Sequence, residues 1–184
     1  MRSRIAILLV SLCLCAFVRG ADEENPYARA KVGDWVAYKM STKMAGHDMT
    51  MEQKQTVTKK TDTEVTIEAV MKTPAGDQTS SYTVNLKDKY DPNSEMKKMA
   101  GEGMVFKELA KGDETVTIAG KPIKTTWVQF ESNGKVSAGG QSVNVSQKGK
   151  FWRSSDVPLG GLVKSESEMQ MGKMSMELTG FGSK

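Results

Sequence analysis

The chain has 184 residues, 38% of them hydrophobic, with 26 Lys and Arg against 22 Asp and Glu for a formal net charge of +4. Arg2, Arg4 and Arg19 fall within the first twenty residues, and their removal would lower that charge to +1, which leaves no electrostatic case for a nucleic-acid partner. The two cysteines, Cys13 and Cys15, fall in the same segment, so a chain lacking it would have neither a disulfide framework nor thiol chemistry.

In chain order, two arginines at the start, an uncharged apolar run from Ile5 to Val18, and the small residues Val18 and Gly20 around Arg19 read as a secretory signal peptide over residues 1–20. The mature chain is expected to begin near Ala21. Lipid attachment at Cys13 or Cys15 is disfavoured, because Leu12 and Leu14 occupy the positions where a lipoprotein signal has a small residue. The apolar run is too short to span a bilayer comfortably, and no later stretch is long enough for a membrane helix. The protein is therefore expected to be exported, to the periplasm or beyond it.

Residues 21–32 form a polar lead-in, and residues 33–184 are expected to form a single β-rich domain. Strands are predicted at Trp35 to Met40, Met49 to Thr58, Glu64 to Lys72 and Ser80 to Leu86, with turns near Ala45 to Asp48, Thr61-Asp62 and Pro74 to Asp77. In the third of these, Val65, Ile67, Ala69 and Met71 share one face while Thr66, Glu68 and Lys72 share the other. Asp91-Pro92 is a good entrance to one short helix over Asn93 to Ala100.

The second half returns to strands at Glu114 to Ala119 and Thr125 to Glu131, separated by a turn at Gly120-Lys121-Pro122. Asn133-Gly134 reads as a two-residue hairpin loop, since both of its central positions need positive φ. Further strands are expected at Gln141 to Gln147, Lys150 to Arg153, Leu162 to Met171 and Met174 to Phe181, with Gly172-Lys173 as the last turn. The total is about nine to eleven strands. One short helix cannot roof so many amphipathic strands, so the fold class is mainly β, an antiparallel sheet curled into a half-barrel or barrel around its own apolar face.

An enzyme is not expected. The single histidine, His47, sits in a turn, no mature cysteine exists, and no G-x-S-x-G elbow is present. Glu166 and Glu168 lie two apart among Leu162, Lys164 and Gln170, which is the composition of a solvated, charge-balanced surface. No cofactor or resident metal is indicated.

Methionine is the unusual feature: thirteen are present, and Met49/Met51, Met169/Met171 and Met174/Met176 are each spaced to share a strand face. Such faces suit an apolar pocket lining, with Trp35 and Trp127 as further candidate lining residues. A minor alternative is Cu(I) binding by the same thioethers, with His47 near the first pair.

Three stretches, V-G-D-W-V-A-Y at Val32 to Tyr38, G-D-E-T-V-T-I-A-G-K at Gly112 to Lys121 and F-W-R-S-S-D-V-P-L-G-G-L-V-K at Phe151 to Lys164, resemble a group of small secreted bacterial proteins of unknown function. That group is distantly similar to lipoprotein-carrier-like half-barrels. The resemblance implies a curved sheet with an apolar ligand in its concavity, and it supplies no catalytic residues. Ser165 and Ser167 interrupt Val163, Met169 and Met171 on the inner face, a departure from a deep carrier cavity. The functional expectation is a non-enzymatic extracytoplasmic binding module for a lipid or other apolar molecule; the alternative is a packed structural domain that binds another envelope protein.

Overall fold

The computed structural model describes residues 25–44, 47–73, 76–90, 105–138, 141–169 and 172–183. The expected leader and the expected helix over Asn93 to Ala100 lie outside these residues. After a 3-10 turn at Pro26–Arg29 come nine strands: β1 (Trp35–Met44), β2 (His47–Lys60), β3 (Glu64–Thr73), β4 (Gly76–Asn85), β5 (Val105–Ile118), β6 (Lys121–Ala138), β7 (Gln141–Arg153), β8 (Leu162–Met169) and β9 (Gly172–Gly182). All belong to one antiparallel sheet in the order β4-β3-β2-β1-β9-β8-β7-β6-β5.

Among the described residues the sheet is open, with β4 and β5 each paired on one side only, so of the two expected closures the full barrel is not met and the half-barrel remains. It does curl. Cα atoms of β5 come within 8 Å of β9, although four strand spacings in a flat sheet amount to about 19 Å.

Nine is the low end of the expected range because the strands run longer than their local signals. The anticipated hairpin at Asn133-Gly134 does not form; both residues lie inside β6, paired with Ser146 and Val145 of β7. Two continuous ladder partners outweigh a local turn preference there, and the pairing continues to Ala138 and Gln141. By the same logic the two expected strands from Gln141 to Arg153 fuse into β7. Gly172-Lys173 is likewise not a turn: Lys173 opposes Glu168 in the ladder and pairs with it at 3.3 Å. The Gly120-Lys121-Pro122 turn shifts back by one residue, to Ala119-Gly120, where φ is 47° and 79°, the two positive values that a tight hairpin requires.

Strand alternation and register define two faces. Val36, Tyr38, Val57, Val65, Ile67, Val163 and Leu178 point to the inner face, and all are 3% exposed or less. On the outer face, ion pairs link neighbouring strands: Lys43 to Asp48 (3.5 Å), Lys72 to Glu52 (3.9 Å) and Lys148 to Glu131 (4.0 Å). Phe151 and Trp152 are consecutive yet both buried, so β7 is covered on both faces at that point. Phe151 belongs to an aromatic group with Phe130 and Phe106, the latter two stacked at 4.8 Å.

The buried core sits at one end of the sheet, here called the base, where β1, β3, β6 and β8 begin. Its roof comes from segments that read as coil. Tyr27 and Ala30, in the polar lead-in, are 4% and 2% exposed, and Lys60 Nζ ties that segment down by donating to the carbonyls of Ala28 (2.6 Å) and Ala30 (2.8 Å). Val157 and Leu159, from the 154–161 loop, complete the cover. Glycine is required in that loop. Gly161 has φ +74°, and a Cβ there would lie 2.5 Å from the Ser154 carbonyl oxygen.

Candidate functional site

The opposite end of the sheet carries the hairpin tips, and the methionines collect there. On β1 the even positions face inward, on β2 the odd ones, on β8 the odd ones and on β9 the even ones, as the pairings show. Met40 is directly opposite Met51 on one side and Met176 on the other. In the next row outward, Met49 and Met174 flank Thr42, and Ser167 follows on β8. Met169 opposes Gly172, and His47 begins β2 at the same edge. Met171 lies outside the described residues.

This face bears no Asp, Glu, Lys or Arg from Val36 to Thr42 on β1, His47 to Val57 on β2, Val163 to Met169 on β8 or Gly172 to Leu178 on β9. Met40, Met51, Met169, Met174 and Met176 are half-buried, while Met49 is 50% exposed. Met40 was not singled out from the sequence, though the signal exists. The β1–β2 register sets Met44 opposite His47, and counting back along both strands sets Met40 opposite Met51.

Trp35 and Trp127 do not join this group. Trp35 is on the outer face, with Gly180 and Gly182 beneath its ring and Lys54 Nζ above it at 4.9 Å. Trp127 covers Gly112, where a Cβ would lie 2.8 Å from the ring. Lys150 Nζ sits between Trp127 (4.1 Å) and Trp152 (4.5 Å), an ammonium held against two aromatic faces. Glu114 accepts hydrogen bonds from the Trp152 indole and from Lys150 Nζ. The indole bond, opposed by desolvation and helped by the positive charge of Lys150, holds its carboxyl below the ordinary glutamate value. Glu166 is paired with Lys164 at 2.8 Å and Glu168 with Lys173, so the two carboxylates belong to the ion-paired surface.

A second feature lies at the base. A cleft of about 1170 Å³ opens between the 154–161 loop, the lead-in and strands β5 to β7. Val128, Phe151 and Phe181 give it apolar lining, while charged side chains from every wall, Asp34, Asp113, Glu114, Lys124 and Arg153 among them, make much of the rest polar. Arg153 donates to Tyr90 Oη and to the Gly160 carbonyl (3.0 Å), and its guanidinium lies 5.4 Å from the Phe151 ring centre. Asp34, Phe151 and Arg153 fall in stretches that carry the resemblance, but nothing in those stretches marks a cleft, because it is made by a loop and a lead-in folding over the sheet.

Among the described residues no helix is long and apolar enough to cross a membrane. No family model matches the chain, and no curated protein matches it. Two solved structures share its fold. One, from Bacteroides fragilis, is termed an exported protein with a YmcC-like fold; it is 11% identical, superposes with a TM-score of 0.50 and matches over 83% of this chain and 97% of its own. The other, from Parabacteroides distasonis, is termed a lipoprotein; it is 11% identical, with a TM-score of 0.51 over 83% of this chain and 96% of its own. The chain is thus similar in fold to a YmcC-like protein, and at this identity the likeness speaks for the fold alone.

Proposed function

We propose that the protein is an exported, non-enzymatic binding module whose basal cleft accepts an amphipathic, lipid-like molecule. The leader-like N-terminus and the terms applied to the two structural neighbours, exported protein and lipoprotein, support an extracytoplasmic place for it. The observation that carries the binding reading is the cleft itself: about 1170 Å³, with Val128, Phe151 and Phe181 on its walls and Arg153 and Asp34 among them. The lining mixes those apolar side chains with charged ones, Glu108, Asp113, Glu114 and Lys124 besides Arg153 and Asp34, which suits a molecule with both an apolar body and a charged head, and the volume suits a ligand larger than most drug-sized molecules.

Uptake of a fluorescent fatty acid by the purified protein, together with native mass spectrometry of material from its own host, tests this reading. Val128→Trp would fill the cleft from its wall and should weaken probe uptake by at least roughly tenfold. No uptake by the parent protein and no copurifying lipid would refute it.

The alternative, an envelope domain that binds another protein, draws on one observation. Strand β4 is a free edge exposed along nearly its whole length, with Asp77 as its one charged residue and no proline or lysine to block strand addition. A photocrosslinker placed at Thr79 should capture a partner in cells under that reading and none under the first.

A further inference from the structure

The methionines are segregated from the buried core, with Met176 packed against its margin. Of the methionines whose exposure is described, Met40, Met49, Met51, Met71, Met169, Met174 and Met176, none is buried: the core is built from Val, Ile, Leu, Ala and aromatic side chains, from Tyr27 to Leu178. If methionine served here as a core filler, some would occur in that core, as its flexible thioether chain suits irregular gaps. Instead Met40, Met49, Met51, Met169, Met174 and Met176 occupy one face of four adjacent strands at the tip end, where each is half-buried or exposed.

The geometry points to a soft-metal site that binds Cu(I), with Met40, Met51 and Met176 as its three thioether ligands. Directly opposed residues of an antiparallel pair have Cα atoms about 5 Å apart, and Met40 is opposed on both sides. Three rotatable bonds per side chain let the outer two sulfurs converge with the central one on one ion. His47 and the half-exposed Met49, farther out along β2, lie on the approach from solvent.

The donor set also selects the metal. Thioethers are soft and uncharged, and the face has no Asp, Glu, Lys or Arg among its inward positions. A hard or borderline dication would find neither the carboxylate oxygens that calcium and magnesium need nor the thiolate and imidazole set of zinc. A soft monovalent ion needs no such charge neutralisation. Seryl and threonyl neighbours, Thr42, Ser165 and Ser167, leave the sulfurs as the only soft donors in the row. The inference is independent of the cleft at the other end of the sheet.

The test is anaerobic titration of the purified protein with Cu(I) against a competing chelator, with Zn(II) as the control metal. About one equivalent of Cu(I) should be held at a sub-micromolar dissociation constant, with no comparable hold on Zn(II). Met40→Leu and Met176→Leu, close in volume and unaltered in charge, should each weaken Cu(I) by at least roughly tenfold, while Met71→Leu, on the same face but outside the row, should leave it unchanged. In the unmodified protein Ag(I), a redox-inert stand-in, should shift the ε-methyl resonances of Met40, Met51 and Met176 together, a readout that needs no variant to fold. Failure to hold Cu(I) against a micromolar-affinity chelator, equal binding by the Met40→Leu protein, or Ag(I) shifts confined to other methionines would each overturn the proposal.

Discussion

At the base of the sheet Val36, Val65 and Val163 are wholly sealed from solvent, whereas at the hairpin tips Met49 keeps 50% of its surface exposed. Both sets lie on the same inner face of neighbouring strands. The difference is in what covers them: the lead-in and the 154–161 loop close over the base, and among the described residues neither reaches the opposite end of the sheet. Residue choice follows this boundary. Branched and aromatic side chains with few rotamers fill the covered end, and flexible thioethers line the opposite one, where adaptable, polarizable groups suit a ligand better than a fixed core.

Denaturant unfolding of paired variants is the strongest way to break this contrast. Leu178→Ala, at a position 1% exposed, should cost about 2–5 kcal/mol, while Met49→Ala should cost no more than about 0.5 kcal/mol. Equal costs would mean that the tip is packed as firmly as the base. The roof can be tested separately. Gly161→Ala places a Cβ against the Ser154 carbonyl at φ +74° and should cost about 1–3 kcal/mol, with Tyr27 becoming more accessible to solvent quenchers if the loop holds the lead-in in place.

A smaller effect belongs to the outer face beside the base. Glu114 has its carboxyl lowered in the folded state, first by the Trp152 indole bond and then by the charge of Lys150. The stabilisation it gives is complete above the ordinary glutamate value and is lost as pH falls through the depressed folded value. Glu114→Gln should therefore flatten the acid side of a stability–pH curve while leaving its neutral side nearly parallel to that of the parent. Native-state hydrogen exchange gives the mildest test: amides of β1 near Val36 should exchange more slowly than those near Thr42 on the same strand.

The sequence carries the alternation of these strands clearly, since β3 reads apolar and polar in turn and its buried residues are the ones that alternation selects. It is much weaker on strand ends. Asn133-Gly134 has every local mark of a hairpin, yet the ladder between β6 and β7 continues through it, because local turn preference is small beside a dozen cross-strand partners. The roof was illegible for a related reason: Tyr27 and Leu159 are isolated apolar residues in polar or glycine-rich stretches, and only their tertiary position gives them meaning.

The candidate site divides in the same manner. Met49, Met51, Met174 and Met176 announce a shared face through their spacing, which is a local property. Met40, the residue between them, has no such spacing; its place opposite Met51 follows from the register of the β1–β2 hairpin, and its place opposite Met176 only from the pairing with β9. Trp35 and Trp127 fall on the other face because alternation, not residue type, decides where a side chain points.

The arrangement of the thioether row is most directly tested by methyl NOE spectroscopy on protein carrying ¹³C-labelled methionine methyl groups. Cross-peaks should connect the Met40 ε-methyl with those of both Met51 and Met176. Well-resolved spectra in which the Met40 methyl contacts neither, or in which Met51 and Met176 contact the Lys39 or Glu177 side chains instead, would contradict the register and the face assignment built on it.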